Sequence, residues 1–133
     1  TTRAVDLNGQ WDFPKHSFDA VVAAEVLEHL FYPEIVIGKI ANVLKKDGML
    51  IGTLPNGLNL VTRIKLLLGT KHNTSLDDPT HITHFFWDEF RSLLEKSFVS
   101  VELTPWVSPR YKLFSFMPRA VADKIFFVAR GVK

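Results

Sequence analysis

The 133-residue chain contains no cysteine, which excludes a disulfide framework and any thiolate metal site and fits a reducing, cytoplasmic setting. It has no apolar run near the roughly 18 residues needed to span a bilayer, and its first ten residues, TTRAVDLNGQ, lack the core of a signal peptide. Charge of one sign is also missing. Sixteen Lys and Arg stand against 14 Asp and Glu, a formal +2, so composition gives no argument for nucleic-acid binding. Seven glycines are present, but no two form a Gly-x-Gly pair. No repeat, low-complexity tract or linker interrupts the chain. What is abundant is apolar side chain, 47% of the residues, enough at this length for one core and hence one domain spanning residues 1–133.

Arg3 to Asp6 is read as the close of a strand, and Leu7 to Ser17, rich in turn residues, as a loop. Phe18 to Ala24 is a continuous apolar run of strand length, the pattern of a parallel strand covered on both faces. Pro33 then suits a first helical position. The helix it opens is expected to carry Lys45 and Lys46 in its last turn and to stop at Gly48. Met49 to Leu54 is a second buried strand, halted by Pro55-Asn56-Gly57. Leu58 to Leu68 is a short helix ended by Gly69, Thr70 to Thr83 a loop over the site, and Asp88 to Lys96 a helix with two acidic residues in its first turn. Val99, Val101 and Leu103 alternate as a half-buried strand, Pro105 to Pro118 is irregular, and Lys124 to Arg130 is the last strand. The order implies an α/β sandwich whose final pair of strands is antiparallel, with ligands gathering at the strands' carboxyl ends.

At one such end, FDAVVAAEVLEHL brings Glu25, Glu28 and His29 to a spacing at which residues of a helical turn share a face. The functional reading is a converging site. The bland one is that Glu28 and His29 cap a short helix, with Glu28 solvated or paired to a lysine.

The ordered strings AVDLN, SFDAVVAAEVLEHL, IANVLKKDGMLIGTLPN and HITHFFWDEFRSLLEKSF, with Pro33 between, closely resemble class I S-adenosylmethionine-dependent methyltransferases, especially the ubiquinone-biosynthesis-type O-methyltransferases. The resemblance runs from Ala4 to about Phe98. It implies a Rossmann-like sheet represented by strands 3 to 7 with flanking helices, the last strand antiparallel. The family's Gly-rich first motif has no counterpart here. The resemblance therefore starts at the third strand, and the expectation is of an amino-terminally truncated methyltransferase domain that binds cofactor weakly or not at all by itself.

Carried over by position, the resemblance implies that Asp6 accepts a hydrogen bond from the adenine amino group and that the amide of Leu7 faces the ring. Ala23, Ala24 and Glu25 border the methionine portion of S-adenosylmethionine. His29 is the catalytic base, and Glu28, Asn56, His81 and His84 lie on the acceptor's side. Asp6 also reads as a plain turn residue, and Pro55-Asn56 as a strand stop. Metal is not assigned in the main reading. The alternative is Mg2+ on Glu25, Glu28, His29 and His81, with His84 able to replace His81, since carboxylates suit a hard cation that would acidify an acceptor hydroxyl. Phe86 and Trp87 stand where relatives carry a Ser or Thr helix cap.

The expected partner is a small-molecule acceptor methylated on oxygen, with an RNA or saccharide acceptor, or a non-catalytic methyltransferase-fold binding module, as alternatives. The leucines of the 58–68 segment with Arg63 and Lys65 are consistent with peripheral membrane contact or with a lid packed on the domain. An open sheet edge invites self-association.

Overall fold

The structure, a computed structural model, describes residues 4–109 and 116–133. Four strands form one sheet in the order β1-β2-β4-β3, where β1 is Phe18–Ala24, β2 Leu44–Pro55, β3 Phe98–Trp106 and β4 Lys124–Val132. β1 and β2 run parallel, with Val22 opposite Ile51 and Ala24 opposite Thr53. β4 lies antiparallel between β2 and β3, so the last strand is internal and β3 takes the edge. The other edge is β1, which has no second neighbour among the described residues.

Parallel strands need a crossover, and here it is α1 (Pro33–Val43). Pro33 occupies its first turn with Glu34 beside it, suiting the positive end of the helix dipole. Val36, Ile37, Ile40 and Ala41 are buried against the sheet. α3 (Trp87–Glu95) covers β3 in the same way through Phe90 and Leu94. The two helices enclose a core that includes Leu27, Leu44, Leu50, Leu54, Phe98 and Phe127. Phe85, Phe90 and Phe127 stack through it with successive ring centroids 5.0 Å apart. A shorter helix, α2 (Leu60–Leu67), follows β2, and one turn of helix, α4 (Pro118–Val121), precedes β4.

Several expected boundaries move. Ala4 to Asp6 is not in a strand; it opens a loop whose carbonyls at Leu7, Asn8 and Gly9 are held by Lys39 Nζ. Four strands rather than five are therefore formed among the described residues. α1 ends at Val43, because Leu44 is already extended and pairs with Phe18, so Lys45 and Lys46 begin β2 instead of closing the helix. Lys45 then reaches Asp19 at 2.6 Å, a contact that holds the exposed Asp19 carboxyl below its usual range. β3 and β4 each run beyond the predicted alternation, to Trp106 and Val132, since their mutual ladder continues to those residues. The excursion predicted for Pro105 to Pro118 is described only in part: Pro105 lies in β3, Pro118 starts α4, and residues 110–115 fall outside the described residues.

β1 does not have both faces covered as its apolar run predicted. Ala23 is buried, whereas Val22 on the opposite face is 71% exposed.

One position controls how closely the strands approach. A Cβ built on Gly52 would lie 1.9 Å from the Ala23 carbonyl oxygen and 2.6 Å from the Phe127 ring. Neither backbone nor a ring in mid-core can yield. Gly52→Ala is expected to destabilise the fold by about 3 kcal/mol, at the upper end of the overpacking range, read as a drop in the urea midpoint with an unchanged m-value.

Candidate functional site

The carboxyl ends of β1 and β2 meet the amino end of β4, since Pro55 pairs with Lys124. At this rim β1 makes its last ladder bond, Glu25 N–H to the Thr53 carbonyl at 2.9 Å, and Glu25 then adopts φ +53. A non-glycine residue in the left-handed region carries a cost and is held there by its surroundings. Here the backbone is fixed by β2 on one side and the side chain by Lys124, 3.1 Å from Oε2. The reversal leads directly into a 3₁₀ turn, Leu27–His29. Glu25 thus lies outside the helical turn, and a shared α-helical face is not what assembles the site.

The turn buries Leu27 and Glu28 together. Glu28 is only 1% exposed, and neither carboxylate oxygen has a hydrogen-bond partner. It is neither solvated nor paired to a lysine. Burial is the main cause that raises its pKa above the ordinary value of 4.5; the nearby Glu25 charge adds to the rise, while the field of its own backbone amide and the neighbouring His29 and His81 oppose it.

The Thr70 to Thr83 segment returns to this turn, and its attachment is specific. The Glu28 carbonyl accepts from the amides of both Ile82 and Thr83, each at 2.9 Å, and Thr83 Oγ1 donates to the Leu30 carbonyl at 2.7 Å. This strap carries His81 to His29, with ring centroids 4.9 Å apart. Both rings are oriented through Nδ1. His29 Nδ1 lies 2.8 Å from the Thr80 carbonyl and His81 Nδ1 2.9 Å from the Ser75 carbonyl. A carbonyl only accepts, so each Nδ1 carries the proton and each Nε2 of the neutral ring is left as an acceptor. One ligand atom from each of Glu28, His29 and His81 lies within 4.8 Å of the others, an arrangement that can hold a metal ion or pass a proton. Asp78 Oδ2 is 3.7 Å from His81 Nε2, and its Oδ1 accepts from the amide and hydroxyl of Thr80, which holds the Asp78 carboxyl below its usual range. His84 sits beyond His81; burial first, and the His81 charge second, lower its pKa.

His84 and Thr83 also line a cavity of about 630 Å³ between α1 and α3, with Phe31, Glu34, Asp88 and Glu89 on its walls. Phe86 is the N-cap of α3 and, lacking a polar side chain, makes no capping bond; Trp87 follows beneath Arg119, 5.8 Å from its ring.

The other expected positions are placed separately. Ala23 is buried and Ala24 exposed at the end of β1, next to Glu25. Asp6 is exposed and forms an Asx turn, its Oδ1 accepting from the Asn8 amide at 2.9 Å. Leu7 joins Trp11 and Phe13 around a hollow at the amino-terminal half of β1, lined by Phe18, Ala20 and Val21. Asn56 is buried, with its amide nitrogen donating to the carbonyls of Arg119 and Ala122, so it ties β2 to α4. His16 and His72 lie apart from the cluster, on the Leu44 carbonyl and on Asp77.

The sequence reading did not identify Thr80, Thr83, Ser75, Asp78 or Lys124 as site residues. Asp78-Pro79-Thr80 carried a turn signal, but the carbonyl partners depend on where the strap lands, which no local pattern encodes.

Because Glu28 is desolvated, its carboxyl takes up a proton at a higher pH in the folded chain than in the unfolded one. Its contribution to stability is present below pH 4.5 and is lost as the pH rises through the folded value. Glu28→Gln, which keeps the shape and removes the charge, is therefore expected to raise Tm at pH 8 by a few degrees, roughly 1 kcal/mol in a domain of this size, and to leave Tm at pH 4 nearly unchanged. Differential scanning calorimetry at the two pH values checks this.

Residues 2–52 match a family described as a methyltransferase domain. No curated protein gives a significant match. Among solved structures, an S-adenosylmethionine-dependent methyltransferase from Archaeoglobus fulgidus superposes with TM-score 0.66 at 15% identity, covering 93% of this chain and 62% of its own. CurJ carbon methyltransferase gives TM-score 0.64 at 17% identity, with 97% and 34% covered. Phosphoethanolamine N-methyltransferase 2 of Haemonchus contortus, in complex with S-adenosyl-L-methionine, gives 0.61 at 14%, with 92% and 35% covered. The chain thus spans less than two thirds of the length of each. At such identities the likeness establishes architecture: the four-stranded sheet and its helices are a partial class I, Rossmann-like methyltransferase fold.

Proposed function

We propose that the chain carries the acceptor side of an S-adenosylmethionine-dependent methyl transfer to an oxygen of a small molecule. The observation that carries this reading is the fixed orientation of His29, whose Nδ1–H is committed to the Thr80 carbonyl, leaving Nε2 free to act as a base on a ring clustered with the buried Glu28 carboxylate at the carboxyl end of β1. The methyltransferase-domain match over residues 2–52 and the shared fold supply the reaction class.

The residues at the rim fit the donor. Glu25 Oε1 is buried without a partner, an acceptor available to an ammonium or hydroxyl, and the small side chain of Ala24 leaves room beside it. Asp6 offers an exposed carboxylate suited to the adenine amino group. When bound, the sulfonium supplies an electrophilic methyl group, and the displacement requires the acceptor oxygen in line with it. The oxygen must also lose a proton, which for a phenol has a pKa near 10. His29 Nε2 takes that proton, while Glu28 stabilises the imidazolium that results. His81 and His84 bound the acceptor, and the adjoining cavity under Phe31 gives it an apolar wall. Asn56 serves this site by anchoring the turn after β2.

In a protein extended upstream through the Gly-rich first motif, His29→Ala is expected to lower kcat by roughly 10²- to 10⁴-fold, the usual range for loss of a positioned base, with S-adenosylmethionine affinity unchanged by calorimetry. Equal turnover in the variant would remove His29 from the mechanism, and absence of cofactor binding in the extended protein would favour a non-catalytic binding module.

A second reading is favoured by the same three ligand atoms. Glu28, His29 and His81 would hold a divalent ion, with both Nδ1–H groups fixed by carbonyls in the manner of oriented metal-ligating histidines. The ion would lower the pKa of an acceptor hydroxyl. Glu25, expected in this set, is held by Lys124. Two nitrogens and one carboxylate suit Mn2+ or Zn2+ better than Mg2+, which prefers oxygen ligands. Titration calorimetry with Mn2+ is expected to show one site that is lost in His81→Ala; turnover unchanged by exhaustive chelation would contradict a catalytic ion.

A further inference from the structure

We propose that α2 and the start of α4 form a docking surface for an anionic lipid bilayer. A helix on a protein in water turns its apolar stripe inward, and α2 does the reverse. Its one buried side chain is Thr62, 3% exposed. Opposite it, at i, i+4 and i+7, stand Leu60, Ile64 and Leu67, exposed by 36%, 48% and 88%, and Leu68 adds a fourth at 77%. The inversion is built in: Asn59 caps the helix through the Thr62 amide, and Gly69, at φ +77, ends it. α4 packs against α2, and the residues just before it, Phe116 and Met117, are 76% and 49% exposed.

Charge selects the occupant. Between Leu58 and Leu76 the chain has Arg63, Lys65 and Lys71 and no Asp or Glu. Arg63 donates to the Leu58 carbonyl, Lys65 to those of His72 and Asn73, and Lys71 to that of Leu76. These acceptors are neutral, and among the described residues no carboxylate forms an ion pair with any of the three cations, while Asp77, next along the chain, pairs with His72. An apolar stripe in a segment of net positive charge complements a bilayer whose headgroups are negative and whose interior is hydrocarbon. No helix among the described residues is long and apolar enough to cross a membrane, so the contact is interfacial. α2 also leaves β2 at the rim that holds the histidine cluster, with Gly57 against Ser75 and His84, which sets the surface beside the site. The surface does not depend on the methyl-transfer reading, because docking needs neither cofactor nor turnover.

The test is co-sedimentation of the chain with vesicles of phosphatidylcholine alone or with about a third phosphatidylserine. Binding to the anionic vesicles is expected, reduced at least tenfold by raising the salt to about 0.5 M. Leu67→Glu with Leu68→Glu, both at exposed positions, should cut it at least tenfold while Tm stays unchanged. Arg63→Gln with Lys71→Gln should weaken binding to anionic vesicles without altering the circular dichroism spectrum. No binding to either vesicle, or equal binding by the leucine variant, overturns the proposal. So does a concentration-dependent dimer in sedimentation velocity that the leucine variant abolishes, which would make the face a contact between two copies. Loss of docking would leave the histidine site's chemistry untouched, and a dead enzyme could still dock.

Discussion

The close approach of β1, β2 and β4 is the constraint from which the rest follows. Gly52 leaves no Cβ between the Ala23 carbonyl and the Phe127 ring, so the parallel and antiparallel ladders on either side of β2 close without a bulge there. That places the end of β1 beside Thr53, whose carbonyl holds the Glu25 amide. The left-handed turn at Glu25 is a consequence, and it sends Leu27 and Glu28 beneath the strap instead of prolonging the strand. The polar cluster is therefore a product of sheet geometry.

The burial of Glu28 is the energetic counterpart. An unpaired carboxylate inside a protein opposes folding, and native structures keep such groups where they serve a purpose. Around it the protein has spent backbone hydrogen bonds on orientation. Thr80, Ser75, Ile82 and Thr83 all contribute main-chain groups that fix either a ring or the turn beneath it. Fixing Nδ1 as the donor leaves each Nε2 with a lone pair for a proton or a metal ion. The same arrangement serves a base or a metal ligand, which is why both readings start from one geometry.

Periodicity in the sequence marked the parts of the fold whose burial is one-sided and continuous. Val36 and Ile40, then Phe90 and Leu94, and the run from Met49 to Leu54 all lie in the elements their spacing predicted. The misplacements have a common cause. Leu44 to Gly48 continued a helical pattern, but pairing of Leu44 with Phe18 drew those residues into the sheet, a choice made by tertiary contact. Ala4 to Asp6 looked like a strand end, yet Lys39 binds the carbonyls that follow and a loop forms. In the candidate site, the spacing of Glu25, Glu28 and His29 suggested one shared helical face, but only Glu28 and His29 join the cluster and His81 comes from 52 residues further on. Contacts made over that separation depend on the strap's path. The inverted burial of α2 was equally hidden, because a leucine-rich helix reads the same whether its leucines face the core or the outside.

The account's central claim is that the end of β1 presents a methyl donor's sulfur to an acceptor beside His29. A crystal structure of the protein extended upstream through the Gly-rich first motif, with S-adenosylhomocysteine bound, tests it most directly. The account predicts the ligand's sulfur beside Ala24 and Glu25, its amino group at Glu25 Oε1, and an open path from the sulfur to His29 Nε2. A ligand seated elsewhere on the sheet, with its sulfur shielded from His29, would contradict it.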